Sequence, residues 1–135
     1  DVCSSDLIVG LTSAKFLAGG ATFDVASGRD ITITQTLLTG GANDDGGLVK
    51  NGAGTLTLTS ATSSYGGITT ISGGVLEAGT LANGGLGSAI GASPASAANL
   101  VFDGGTLQYT GSTAQSTNRS IRIILPFSPG AGTSS

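Results

Sequence analysis

A Gly-Gly pair followed by an apolar run recurs along the chain at Gly19-Gly20, Gly46-Gly47, Gly73-Gly74 and Gly104-Gly105. The spacings between successive pairs are 27, 27 and 31. A fixed period of this order points to a repeat architecture rather than a single closed core. About 27 residues suffice for three short strands and their turns at ~3.3 Å per residue. That is one coil of a parallel β-helix. Each coil stacks on the last, so strands pair with their equivalents one turn along.

The runs between the glycines alternate with the period of half-buried strands. Thr55-Leu56-Thr57-Leu58-Thr59 is the cleanest, with Leu on one face and Thr on the other. Ala21 to Val25, Ile31 to Thr34, Gly67 to Ile71, Gly74 to Ala78, Asn99 to Phe102 and Thr106 to Tyr109 behave alike. Turn-forming clusters separate them at positions 26–30, 40–47, 60–66 and 103–105. The pattern predicts inward side chains at Phe23, Val25, Ile31, Ile33, Leu48, Leu56, Leu58, Ile71, Leu76, Leu100, Phe102 and Leu107. The stretch 80–98 has loop composition, and a protruding loop with one short helical turn would absorb the longer third interval. An antiparallel β-sandwich also has short, regularly spaced strands. The recurring interval favours the solenoid.

Composition removes most chemistry. The 135 residues include 24 Gly, one Cys and no His, Met or Trp, and only 10% are charged. Zinc sites and His-based triads therefore lack ligands or a base, and one cysteine builds no disulfide framework. The net charge of −3 speaks against a nucleic-acid partner, whose affinity rests on Lys and Arg. No apolar run approaches the ~18 residues of a membrane span. Yet 39% of residues are hydrophobic and mean hydropathy is +0.30, too apolar for a disordered tail.

One stretch is specific. Gly47-Leu48-Val49-Lys50-Asn51-Gly52-Ala53-Gly54-Thr55-Leu56-Thr57-Leu58-Thr59 precedes Ser64-Tyr65-Gly66-Gly67-Ile68-Thr69-Thr70-Ile71-Ser72-Gly73-Gly74-Val75-Leu76. Together they resemble the passenger-associated repeat of bacterial autotransporters, with Ile68 where that family often has Thr. Weaker likeness extends the match over about positions 19–120, through Gly20 to Val25, Gly105 to Gly111 and Ser116 to Arg119. The resemblance implies a right-handed parallel β-helix of about four coils, exported through a C-terminal barrel and displayed on the bacterial surface. It implies a structural stalk without enzymatic activity or cofactor, with adhesion to host-surface or matrix ligands through the wider passenger. Neighbouring coils of the same chain would be its partners.

Organisation follows. Residues 1–18 are expected to be atypical, because Asp1 to Leu7 resembles translated adaptor sequence. Residues 19–123 form the repeat region, and 124–135 a disordered or non-native tail. With neither a signal-peptide pattern nor barrel strands, the chain reads as an internal piece of a longer protein.

The rival function is a carbohydrate-active β-helix enzyme or glycan-binding module. Its candidates are Asp24, Arg29, Asp30, Asp44, Asp45, Lys50, Glu77 and Asp103. A carboxylate pair must converge within several ångströms, but one full period carries Asp24 onto Asn51 and the next onto Ala78. Capping turns and keeping the chain soluble is the simpler role for these acids. Asn43-Asp44-Asp45 is oxygen-rich but lacks the further ligands of a calcium loop. Thr32, Thr34, Thr55, Thr57 and Thr59 would order water only as an in-register array. One period carries Thr32 onto Thr59, and the next falls on Leu86 and breaks it. No catalytic, cofactor or metal residue is assigned. Lys50 alternates with Leu48, which would aim it inward at a corner; the preferred expectation is that it snorkels at the turn, bonding backbone carbonyls, with Tyr65 over the apolar edge of a rung. Cys3 is given no role.

Overall fold

The computed structural model describes residues 5–8, 14–40 and 46–125. Among them are twelve strands: β1 (Ser5–Ile8), β2 (Ala14–Phe16), β3 (Ala21–Asp24), β4 (Asp30–Ile33), β5 (Leu37–Thr39), β6 (Leu48–Asn51), β7 (Thr55–Leu58), β8 (Thr69–Ile71), β9 (Val75–Ala78), β10 (Leu100–Phe102), β11 (Thr106–Tyr109) and β12 (Arg122–Ile123). The first sheet runs β1-β4-β7-β9-β11, the second β3-β6-β8-β10-β12, and a third pairs β2 with β5. Every pairing is parallel, and each strand meets its equivalent one turn later. This is a β-solenoid. It reaches into the first eighteen residues, where β1 pairs with β4 and β2 with β5. Residues 126–135 lie outside the described part.

The rungs are unequal. In the second sheet Ala21 lies opposite Leu48, a step of 27. Leu48 lies opposite Thr69, a step of only 21, and Thr69 opposite Leu100, a step of 31. The first sheet steps by 25, 20 and 31, from Ile31 to Leu56, Leu76 and Leu107. The apparent period in the sequence is thus a mean. The glycine pairs also occupy two different corners. Gly20, at φ +68°, stacks on Gly47, whose carbonyl oxygen a Cβ at Gly20 would strike. Gly74, at φ +60°, stacks instead on Gly54, whose oxygen bars a Cβ in the same way. Both positions need glycine twice over, for the left-handed turn and for the close approach of the next rung. The interval from Gly46 to Gly73 therefore runs from one corner to the other.

Inside, side chains stack rung upon rung. Ile31, Leu56, Leu76 and Leu107 form one column, and Phe23, Lys50, Ile71 and Phe102 another. All twelve residues expected to point inward lie in this core or pack against it. Full burial of a Leu or Ile contributes roughly 1.5–3 kcal/mol, and Leu48, Leu56, Ile71 and Leu76 are completely enclosed. Phe16, Leu37, Tyr65, Ala89 and Ile90 complete the core from the third side.

That third side loses its strands after β5 but not its rung-to-rung bonding. Ser64 N donates to Leu37 O at 2.8 Å, Ser88 N to Ser63 O at 3.2 Å, Ala92 N to Tyr65 O at 2.9 Å and Ser120 N to Ala95 O at 2.9 Å. The expectation of a protruding loop at 80–98 is corrected here. Ser88, Ala89, Ile90, Gly91 and Ser93 are buried, so the segment forms a wall of its rung. Small side chains let it pack without an alternating pattern. The helical turn is a 3-10 turn at Ala97–Asn99, capped where Ser96 Oγ accepts from Ala98 N.

Candidate functional site

The charged residues do not converge. Asp24 is exposed and lies beside Asn51, as the register of this sheet requires. Arg29 and Asp30 are exposed in the following turn, closed by Arg29 N donating to Ala26 O at 3.0 Å. Glu77, half-buried on the outer face of the first sheet, accepts from Thr57 Oγ1 at 2.8 Å. Asp103 is exposed beyond β10. Among the described residues no three His, Cys, Asp or Glu gather into a metal-binding group. Asn43, Asp44, Asp45 and Cys3 lie outside the described residues.

The threonine register differs from expectation. Thr32 lies opposite Thr57, not Thr59, because this rung is shorter than the mean period. Thr55 faces Asp30, and the next rung puts Val75 and Glu77 beside Thr55 and Thr57. The array therefore ends after two rungs, earlier than Leu86.

Lys50, Tyr65 and Arg119 are drawn into the interior instead. Lys50, from the inner face of β6, is fully buried, and its ammonium donates to Asn51 O at 2.7 Å, Gly52 O at 2.9 Å and Gly73 O at 3.1 Å. Burial lowers its pKa, and the negative charge of Asp24 partly offsets this. The carbonyl bonding was legible; the complete burial was not. Tyr65 is likewise enclosed rather than lying over an edge, its ring centroid 5.0 Å from that of Phe16 and its hydroxyl 2.8 Å from Thr69 Oγ1. Burial raises its pKa above the usual phenol value.

Sequence reasoning gave Arg119 no role. It is 7% exposed, and it donates Nε to Ala82 O at 3.2 Å, Nη1 to Ser93 O at 3.0 Å and to Ser93 Oγ at 2.7 Å, and Nη2 to Gly91 O at 2.9 Å and Leu86 O at 3.4 Å. A guanidinium offers five donors in a rigid fork. Here they gather four carbonyls of the irregular wall. Around it, Thr117 Oγ1 donates to Ala82 O at 2.8 Å, Gly84 N to Asn118 Oδ1 at 2.9 Å, and Asn118 N to Asn83 Oδ1 at 2.9 Å. These bonds tie the chain to itself and organise architecture.

Among the described residues, the outer surface carries an open groove of about 550 Å³. Gly19, Gly47, Gly66, Gly67, Val49 and Ile68 are among its lining residues, and no charged side chain lines it. No helix among the described residues is long and apolar enough to cross a membrane.

Comparison with known proteins agrees with this architecture. Residues 48–82 match the passenger-associated-transport-repeat family. Over 114 residues, 84% of the chain, the sequence is 47% identical to an adhesin, the BmaC autotransporter of Brucella suis biovar 1 (strain 1330). The chain spans about 3% of the length of that relative. No solved structure matches. A stacked parallel fold, the repeat at 48–82 and close identity to one autotransporter converge, and the chain belongs to the autotransporter passenger repeats as a stretch of β-solenoid.

Proposed function

We propose that this chain is a spacer: a rigid run of coils that holds the adhesive parts of a surface-displayed passenger away from the outer membrane. The observation that carries this reading is where the polar chemistry sits. The buried cations bond backbone carbonyls of their own chain, and the acids on the outer faces stand apart. The adhesin name of the Brucella relative supports a role in adhesion, made through the wider passenger to host-surface or matrix ligands. Catalysis has no support in the geometry: Asp30 and Glu77 share the first sheet but β7 lies between their strands, and Asp24 and Asp103 adjoin second-sheet strands with β6 and β8 between them.

A replacement experiment tests the spacer. In the complete passenger gene these rungs are exchanged for an unrelated β-solenoid of equal rung number. Cell-surface exposure is read with an epitope tag, and adhesion on immobilised matrix proteins and glycans. The spacer reading expects display and adhesion to survive the exchange and to fall when the rungs are deleted. Adhesion lost on exchange while display persists would mean that these rungs contact the ligand themselves.

A further inference from the structure

Lys50 occupies a place where a hydrocarbon would ordinarily stand. Its column reads Phe23, Lys50, Ile71 and Phe102, and the chain on both sides is apolar and inward-facing. All three ammonium protons are used, each on a carbonyl: two in its own rung, at Asn51, which ends β6, and Gly52 in the corner after it, and one at Gly73 in the corner of the next rung. A lysine ammonium has three donors and no acceptor, so this cage satisfies it completely. Its positive charge is balanced by carbonyl dipoles, while Asp24 sits exposed on the outer face.

Between the glycine corners, the alternating side chains of the strands do little to choose an alignment. Strand side chains repeat every two residues, so the Thr-Leu alternation of β7 presents the same face after a slip of two. Leu58 would then stand on Leu76 as well as Leu56 now does. Sliding β6 by two along β8 would set Leu48 against Ile71 in place of Thr69, which costs Leu48 no apolar contact. The slip is not neutral for Lys50. Its ammonium would leave Gly73 O and carry a charge against Thr69 or beyond the end of β8. Asn51 O and Gly52 O travel with it, so the slip breaks the one bond that reaches the next rung; a buried ammonium left short of a partner is expensive, whereas a fully partnered one returns little more than an apolar residue would.

We infer that Lys50 is a register pin. It contributes little to the stability of the correct stack and penalises the alternatives that a self-similar sequence allows. This deepens the spacer reading but does not depend on adhesion, since it concerns which rungs pair.

Cross-linking in the full chain tests it. In a Cys3→Ser background, Val49→Cys is combined with Thr70→Cys, its neighbour in the native register. Two further pairs, Val49→Cys with Ile68→Cys and with Ser72→Cys, report slips of two either way. Diagonal neighbours lie about 7–8 Å apart, too far to bridge without movement. With Lys50 present, only the native pair should oxidise efficiently. Lys50→Met should keep the β circular-dichroism spectrum and an equal or higher melting temperature, and raise a slipped cross-link at least tenfold. Lys50→Arg should restore the native pattern. A folded Lys50→Met chain that forms only the native cross-link overturns the inference. An unfolded one overturns it too, because Lys50 would then be a net source of stability.

Discussion

The two laddered faces and the irregular third side enclose one core by different means. On the first and second sheets, backbone bonds five strands deep do the joining, and side chains need only alternate. On the third side the strands end after β5, only scattered backbone bonds join the rungs, and single side chains fill in between them: Ser63 Oγ accepts from Leu37 N at 3.0 Å, Thr80 Oγ1 from Ala89 N at 2.9 Å, and Arg119 gathers four carbonyls. A ladder is redundant, because every residue contributes an equivalent bond. The side-chain wall is not, because each bond has one donor and one acceptor that no neighbour can replace. The same difference in construction should divide the effects of mutation.

Leu56→Ala should produce the largest loss, about 4 kcal/mol, by leaving a cavity in a column with no room to collapse. The loss should be global, with amides of β6 to β9 and of the third side losing hydrogen-exchange protection together. Arg119→Ala should cost about 3 kcal/mol through carbonyls left unpaired in the wall. Here the division should show: Ser88, Ala92 and Ser120 amides should exchange faster, while Leu48 and Ile71 stay protected. Equal loss at both sets of amides would dissolve the distinction between the two kinds of wall.

Tyr65→Phe sharpens the comparison at the seam between them. Near neutral pH it should cost about 1 kcal/mol for the bond to Thr69. The pH dependence carries more information. Burial holds the folded phenol above its usual 10.0, so as pH rises the unfolded chain ionises first. The stability contributed by neutral, buried Tyr65 is present below about pH 10 and is lost as pH rises above it. Urea midpoints at about pH 9 and about pH 11 should therefore diverge less for Tyr65→Phe than for the native chain. The smallest effect is expected on the outer ladder: Thr57→Ala removes the bond to half-buried Glu77 for about 0.5 kcal/mol. A larger loss in thermal melts would show that the laddered face also leans on single side chains.

The same division explains what could be read from sequence. Inward residues such as Leu56, Leu58 and Leu76 sit in alternating runs, whose period of two reports a laddered face directly. Phe16, Leu37 and Ile90 stand outside any alternating run, so nothing marks them as core. Arg119 lies among Ser, Thr and Asn, and its surroundings in the chain suggest solvent. Only the fold brings it to the carbonyls of the 82–93 segment. Rung length escaped for a related reason. The glycine pairs mark turns faithfully but do not say which corner they turn, so intervals from two corners merged into one apparent period. For the candidate site, the separation of Asp24 from other acids was legible, because it needed only one register step.

Strands that run across the fibre place their hydrogen bonds along it. A pull on the two ends of such a chain loads those bonds one at a time, as a zipper is opened, and never a whole sheet in shear. The rungs should therefore yield singly, at low force. The coil from Leu48 to Thr69 would release roughly 70 Å of slack, and the longer coil from Thr69 to Leu100 roughly 105 Å. A solenoid built this way lengthens in uneven steps under load, and spreads a sudden pull over several small yields instead of one.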